Sequence, residues 1–572
     1  MSSKIVPVEV VRTEKVYSVP RHQAPMDLML DGNEGKAPEA SFLRHFEECD
    51  TQHLFRYPKA NALEAELADY WKLPPEQVLV TAGADDGIDR ICRTMLSDGR
   101  EALMPWPTFV MLARYASVAG GKVVRVPWAP GTPFPVEAFL EQASEKTGVV
   151  MLVNPNNPTG TTIPFETIKQ ISEAVPHAIL LLDGAYAEFA DEDITHQALS
   201  LPNVAITRTF SKAWGLAGLR VGYVLSSPQI IQWLRVAGEP YAVSGVSIFM
   251  ARKRLQESRE EVETFIDEIK QARKQLIPAL EEDALEVLPS QSNFLFAKVP
   301  DALWMRDAMA GLGIGIRFFP SLPELEGWVR VTCPAGEVEQ KRLLHTWRSA
   351  LNPEAILFDM DGVLADVSSS YRQAIVETVA AFGGATDFEE IDRYKAAGNA
   401  NNDWELSQKI LRDQGREIVL QEVIDTFETL YQGTETQKGL REKESLLWSR
   451  DKLLALRERY PLAIVTGRPR FDALTFLRRF DLEALFDAII VMEDGPAKPD
   501  PAPVTAALER LGVERAWMIG DTPDDIRAAR RAGVVPVGVL LAHQQVEARD
   551  VLIRAGAARV LSDLDELEAL LR

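Results

Sequence analysis

Lys212 lies in TRTFSKAWGLAGLRVGY, residues 207–223, behind a run of strand character. A lysine that forms a Schiff base must sit near a fixed carbonyl with a lowered pKa. Thr209, Ser211 and Arg220 in the same stretch are the hydroxyls and guanidinium that hold a phosphate group. A lone Ser-Lys pair is a weak signal, because most lysines are solvated; the neighbouring stretches give it a context. VNPNNPTG, 153–160, places Asn157 in an irregular loop after a strand. LLLDGAYAEF, 180–189, ends a buried strand on Asp183, a carboxylate able to pair with a protonated ring nitrogen and make that ring an electron sink. Tyr186 follows, placed to reach the same ring's hydroxyl. TAGADDGIDRI, 81–91, sets Gly83, Ala84 and Asp85 at the start of a helix, where free N–H groups bind phosphate. Phe109, in PWPTFVM, offers a flat surface for a ring.

A second set begins at ILFDMDGVLADV, 356–367. Asp359 ends an apolar strand, where open α/β sheets bind ligands, and its carboxylate can attack phosphorus. Asp361, two residues on, can protonate a leaving oxygen and then activate water. Alone, Asp-x-Asp-Gly reads equally well as a strand followed by a turn. Three later stretches favour chemistry. IVTGRP, 464–469, supplies Thr466; AKPDP, 497–501, supplies Lys498; MIGDTPDD, 518–525, supplies Asp521 with Asp524 and Asp525 behind it. A hydroxyl, an ammonium and hard carboxylates suited to Mg²⁺ are what phosphoryl transfer needs.

The elements that must position these groups are strands alternating with helices. Apolar runs such as VVMLV (149–153), AILLL (178–182), LAIV (462–465) and AWMIG (516–520) predict parallel sheets covered on both faces. Ile88, Ile91, Cys92, Met95 and Leu96 fall on one face of a helix. Residues 369–457 read as helical and interrupt two strand-bearing regions, as an inserted cap would. Pro353 disfavours helix at Asn352, so a linker of 351–354 separates a first half, 1–350, from a second, 355–572. The net charge of −22 argues against a nucleic-acid partner. No apolar run reaches membrane length, and MSSKIVPVEVVRTEK lacks the apolar core of a signal peptide. Cys49, Cys92 and Cys333 form neither a metal-spaced set nor a disulfide framework, which fits a reducing, cytoplasmic setting.

The first half resembles the fold-type I pyridoxal-phosphate aminotransferases, with its closest likeness among those acting on histidinol phosphate. The likeness rests on VYSVP (16–20), NEG (33–35), FRYPKA (55–60), TAGADD, PTF, NPNNPTG, DGAY, TFSKAWGLAGLRVGY, SNF (292–294) and VRVT (329–332), in order. It implies a large α/β domain over about 55–260 and a small one from 1–54 and 261–350. It implies pyridoxal 5′-phosphate on Lys212, with Asp183 at the ring nitrogen, Asn157 and Tyr186 at the ring hydroxyl, and Phe109 stacked on the ring. The phosphate cup would be Gly83, Ala84, Asp85, Thr209, Ser211 and Arg220. Tyr57 would reach the cofactor of a second copy, implying a homodimer. Arg330 would hold the acidic end of the substrate, glutamate or 2-oxoglutarate, and Tyr17 and Arg317 a substrate phosphate. The family has glutamate where this chain has Gly184; the gap leaves the substrate open between histidinol phosphate and another amine or keto acid.

The second half resembles the haloacid-dehalogenase superfamily, in a phosphoglycolate-phosphatase-like branch whose Rossmann-like core carries a helical cap. The resemblance makes Asp359 the nucleophile, Asp361 the general acid/base, Thr466 and Lys498 the phosphate holders, and Asp359, Asp361 (through its carbonyl), Asp521 and Asp525 the Mg²⁺ site. The family spacing favours Asp525 over Asp524. Together the halves predict a bifunctional enzyme of histidine biosynthesis, transaminating imidazole-acetol phosphate and dephosphorylating histidinol phosphate. The alternatives are the same pair of reactions on another phosphorylated keto compound, a non-catalytic second half, or a mutase or phosphonate cleaver using Lys395 or Lys409.

Overall fold

The computed structural model describes residues 5–13, 16–97, 99–397, 402–540 and 546–571. They pack as two units, Met1–Pro20 with Leu30–Ala302 and Arg317–Gln340, and Arg21–Met29 with Leu303–Ile316 and Lys341–Arg572.

The first unit is built on a seven-stranded sheet. Its order is Val78–Thr81, Gly222–Ser226, Val204–Thr209, Ile179–Asp183, Thr147–Val153, Glu101–Trp106 and Lys122–Pro127. Gly222–Ser226 runs antiparallel to both neighbours; the other pairs are parallel. Thr147–Val153 and Ile179–Asp183 are buried at every residue, as strands covered on both faces require. The helix Ala84–Met95 starts at Gly83, whose φ of +81° suits glycine, and lays Ile88, Ile91 and Cys92 into the core beside Leu96. A smaller antiparallel sheet orders Arg317–Phe318, Trp328–Thr332, Phe294–Lys298 and Glu286–Leu288.

The second unit centres on a six-stranded, wholly parallel sheet: Ala488–Ile490, Leu462–Val465, Ala355–Phe358, Ala516–Gly520, Val535–Val539 and Arg559–Leu561. Asp359, Thr466 and Asp521 each follow the last residue of one of its three central strands, so the topology brings them to one edge. A two-stranded flap, Ala365–Asp366 against Ser445–Leu446, brackets the helices Tyr371–Ala381, Phe388–Ala397, Asp403–Asp413 and Leu420–Gln432.

This unit also takes in segments ahead of residue 355. The helix Glu337–Leu351 stops just before Asn352-Pro353, as proline dictates. Trp517 donates its indole N–H to the Ser349 carbonyl at 2.7 Å, and its ring lies 4.5 Å from that of Trp304. Trp304 donates to the Ala350 carbonyl at 2.9 Å. Arg559 pairs with Asp307 at 2.7 Å and covers the Trp304 ring. Leu28–Met29 pairs in parallel with Ile314–Gly315. Among the described residues no helix is long and apolar enough to cross a membrane.

Candidate active sites

In the first unit the carboxyl ends of adjacent strands bring Asp183, Thr207 and Thr209 together. Asp183 is 3% exposed and accepts from the Thr207 hydroxyl at 3.0 Å and the Ala185 N–H at 3.2 Å. Burial pushes its carboxyl up to about 6, although those two donors and Lys212 favour the charged form. A buried carboxylate in this state suits a protonated ring nitrogen. Lys212 donates from Nζ to the Gly32 carbonyl at 2.9 Å and lies 5.6 Å from the Tyr186 ring centre. Tyr186 receives N–H groups from Asn33 at 3.2 Å and Asn157 at 3.5 Å.

The residues expected to form the phosphate cup lie close to one another. Thr209 and Ser211 hydroxyls are 3.0 Å apart, and Arg220 Nη1 reaches Ser211 Oγ at 3.4 Å. Arg220 Nη2 pairs with Asp85 at 3.1 Å. A Cβ on Gly83 would sit 2.8 Å from that same nitrogen, so the close approach requires glycine. Asp85 can therefore serve the cup through its backbone N–H, its carboxylate being occupied. Phe109 precedes the helix Val110–Val118 and packs, half-buried, against the large core. These features fit pyridoxal phosphate.

Arg330 is buried and bridges Asn157 Oδ1 and the Asp31 carbonyl, both at 2.6 Å. Arg317 stands opposite it in the antiparallel register, so the two guanidiniums share one face of the sheet. Burial lowers the Arg330 pKa, Tyr186 opposes this, Arg317 adds to it, and Tyr17 and Asp31 favour the charge. An anion is the natural partner for such a pair. Tyr57 stands apart: it is 78% exposed and stacks on Tyr241 at 4.7 Å. Gly184 faces Arg208. A Cβ there would lie 3.1 Å from the Arg208 Cδ and 3.3 Å from the Thr207 carbonyl. Arg208 is fully buried and pairs with Glu188 at 3.2 Å and Asp193 at 3.0 Å. The space expected at Gly184 is thus bounded by the Arg208 side chain.

In the second unit Lys498 Nζ lies 2.7 Å from Asp359 and 2.5 Å from Asp525, and donates to the Val465 carbonyl. Burial lowers the Lys498 pKa, but Asp359 and Asp525 outweigh it and raise the net value. Burial also drives Asp359 and Asp521 well above the usual carboxylate range. Asp359, Asp521 and Asp525 can bring ligand oxygens within 4.8 Å of one another. Such a cluster of hard, buried oxygens fits Mg²⁺, whose charge would offset the mutual repulsion. Asp524 is turned to Arg527 at 3.3 Å, which leaves Asp525 as the member of the trio. The Asp361 carboxylate lies outside the trio, on Arg468, so any metal contact from this residue falls to its carbonyl. Gly362, at φ +74°, allows the chain to pass Asp521, where a Cβ would collide. The Thr466 hydroxyl accepts the Arg468 N–H at 3.2 Å.

Sequence reasoning passed over several neighbours. Asn33 and the carbonyls of Asp31 and Gly32 tie down Tyr186, Arg330 and Lys212; the NEG stretch was their only trace. Arg468 lies two residues beyond Thr466 and was not singled out. Arg372 was not singled out either; together with Lys395, one of the two cap lysines weighed from the sequence, it lines a small cavity of about 60 Å³ beside Asp521. Lys395 pairs with Asp403 at 3.1 Å, and Lys409 lies 5.0 Å from the Tyr394 ring.

The chain matches the family model for aminotransferase class I and II over residues 30–344 and that for haloacid dehalogenase-like hydrolase over residues 353–533. It is 30% identical over 347 residues to a histidinol-phosphate aminotransferase of Ruminiclostridium cellulolyticum, covering 59% of this chain and 96% of that one. It is 46% identical over 213 residues to an imidazoleglycerol-phosphate dehydratase of Phytophthora nicotianae, covering 36% of this chain. There the match spans about half the relative, 47% of its length. The fold is shared with the crystal structure of histidinol-phosphate aminotransferase from Sinorhizobium meliloti in complex with pyridoxal-5′-phosphate, at a TM-score of 0.55 and 23% identity, covering 61% of this chain and 98% of that one.

Proposed function

The chain belongs to the class I and II aminotransferases, joined to a haloacid-dehalogenase-like hydrolase domain, and from that premise we propose that it aminates a phosphorylated keto compound and then removes the phosphate. The substrate we assign is imidazole-acetol phosphate with glutamate as amino donor, and the product of the second step is histidinol, within histidine biosynthesis. The observation that carries this reading is the coexistence in one chain of the Asp183–Lys212 cup with its paired arginines and the Asp359–Lys498 phosphoryl set. Two relatives, an imidazoleglycerol-phosphate dehydratase and a histidinol-phosphate aminotransferase, are both named for phosphate esters of imidazole compounds, which supports the substrate class.

When bound, pyridoxal phosphate would supply an electron-withdrawing ring. Asp183 holds the proton on the ring nitrogen, and Asn157 and Tyr186 orient the ring hydroxyl. Lys212 Nζ moves the proton at the carbon bearing the amino group. Arg330, Arg317 and Tyr17 hold the anionic end of each substrate. Tyr57, exposed on this chain, reaches the cofactor of a second copy in a homodimer.

In the second site Thr466 and Lys498 hold the phosphoryl oxygens. Asp359 attacks phosphorus to give an aspartyl phosphate while Asp361 protonates the departing alkoxide. Asp361 then takes a proton from water, which releases inorganic phosphate from Asp359. Asp359, Asp521, Asp525 and the Asp361 carbonyl would hold Mg²⁺, which would supply charge neutralisation. Joining the two sites on one chain raises the local concentration of the shared intermediate.

Incubation with imidazole-acetol phosphate, glutamate and Mg²⁺ tests the assignment. The expected products are histidinol, 2-oxoglutarate and phosphate in equal amounts. Turnover of other phosphorylated keto compounds, with none of this one, would overturn the assigned substrate and keep the two reaction types.

A further inference from the structure

Arg468 is among the largest fully buried side chains of the molecule. Its Nη2 lies 2.5 Å from Asp361 Oδ1, and its Nε donates to the same oxygen at 2.6 Å. The far side of the guanidinium is held as firmly. Nη1 and Nη2 donate to the two Glu444 oxygens at 3.1 and 3.2 Å, and the Tyr371 and Phe476 rings lie 4.9 and 5.2 Å away. Glu444 in turn accepts from the Ser370 hydroxyl at 2.9 Å and the Tyr431 hydroxyl at 3.0 Å.

These partners sit at the places where the cap joins the core. Ser370 immediately precedes the first cap helix, Tyr431 lies at the end of the last one, and Glu444 immediately precedes the returning flap strand. A buried guanidinium is planar and rigid, and a fork held on both sides fixes the carboxylate it grips. Lys498, the other buried cation of the site, is directed instead to Asp359 and Asp525.

We propose that Arg468 is a positioning residue of the phosphatase. Anchored by Glu444 to both cap connections, it aims the Asp361 carboxylate at the leaving oxygen and then at the attacking water. The inference rests on the phosphatase reading above. It makes the alignment of the general acid/base depend on the arrangement of the cap junction. In the first half-reaction the Asp359–phosphorus bond forms, the phosphorus–alkoxide bond breaks, and the proton of Asp361 passes to the alkoxide. In the second, water attacks phosphorus, its proton returns to Asp361, and the Asp359–phosphorus bond breaks.

The test compares wild type, Arg468→Met, Arg468→Lys and Glu444→Gln in the full chain with Mg²⁺. Two probes are used: L-histidinol phosphate, an alkyl ester, and p-nitrophenyl phosphate. Nitrophenolate departs without a proton, so loss of an aimed acid spares its release but still slows hydrolysis of the aspartyl phosphate. R468M is expected to lose ~100-fold or more in kcat on the alkyl ester, the size of a general acid/base contribution, with KM little changed. On the aryl ester it is expected to show a burst approaching one nitrophenolate per chain, followed by slow turnover. R468K, which cannot form the fork, should restore little, and E444Q should fall between. A uniform fall in active fraction on both esters, with no burst, would overturn the proposal in favour of a purely structural role. Unchanged kcat would overturn it outright. Should wild type hydrolyse neither ester, the phosphatase reading fails. The crystal structure of R468M then still decides the positioning claim: a displaced Asp361 carboxylate supports it and an unmoved one refutes it.

Discussion

Asp183→Asn in the cofactor-free protein is a sharp test of the first site. The wild-type carboxyl is 3% exposed, and burial raises it from its ordinary 3.8 to about 6. An acid whose folded pKa is raised binds more protons folded than unfolded between those two values. Stability therefore falls as pH rises through that window, and the loss is complete above it. A change from 3.8 to about 6 corresponds to about 3 kcal/mol at pH 7. Asparagine keeps an oxygen for the Thr207 and Ala185 donors and carries no charge. Urea unfolding of both proteins, followed at pH 4, 5, 6 and 7, measures the effect. D183N is expected to be the more stable at pH 7, by up to about 3 kcal/mol, with the gap closing toward pH 4. Adding pyridoxal phosphate should reverse the order, because only the carboxylate pairs with a protonated ring nitrogen. A D183N protein no more stable than wild type at pH 7, or a gap that widens on acidification, would refute the reasoning.

Gly184→Glu introduces a side chain that runs into Arg208, whose charge Glu188 and Asp193 already balance; we expect about 1–3 kcal/mol of destabilisation in thermal unfolding, with substrate preference unchanged in a transamination panel. Trp517→Ala removes a buried ring tilted against Trp304 and a donor to Ser349, so the second unit should lose about 3–5 kcal/mol in denaturant unfolding. Lys212→Ala should abolish amino transfer while leaving phosphate release intact, and removing Mg²⁺ with a chelator should do the reverse; each is read by assaying both products in one sample.

Much of both sites was legible because their residues stand at the ends of apolar strands. Asp183, Thr209, Asp359, Thr466 and Asp521 each terminate or follow a strand buried along its length. Lys498 was legible through the AKPDP stretch that follows the others in order. What the sequence hides is side-chain partnership across long separations. Glu444 precedes a two-residue flap strand, and nothing in its surroundings marks it as the anchor of Arg468. Gly184 looked like a change in the substrate pocket. The structure turns it toward Arg208, whose carboxylate partners are supplied by Glu188 and Asp193 instead. The packing of Leu303–Ile316 with the second unit was equally hidden. The helix Ala302–Gly311 is buried on nearly all sides, and a periodic apolar pattern says that a face is covered without saying by what.

The central claim, two successive reactions on one phosphorylated compound, is tested most directly by phosphate release from L-histidinol phosphate with Mg²⁺. Wild type and Asp359→Asn are compared in the full chain. The account predicts steady release by wild type and its loss in D359N, with amino transfer between the same compound and 2-oxoglutarate unchanged. Intact amino transfer with no phosphate release by wild type, or release that survives D359N, would contradict it.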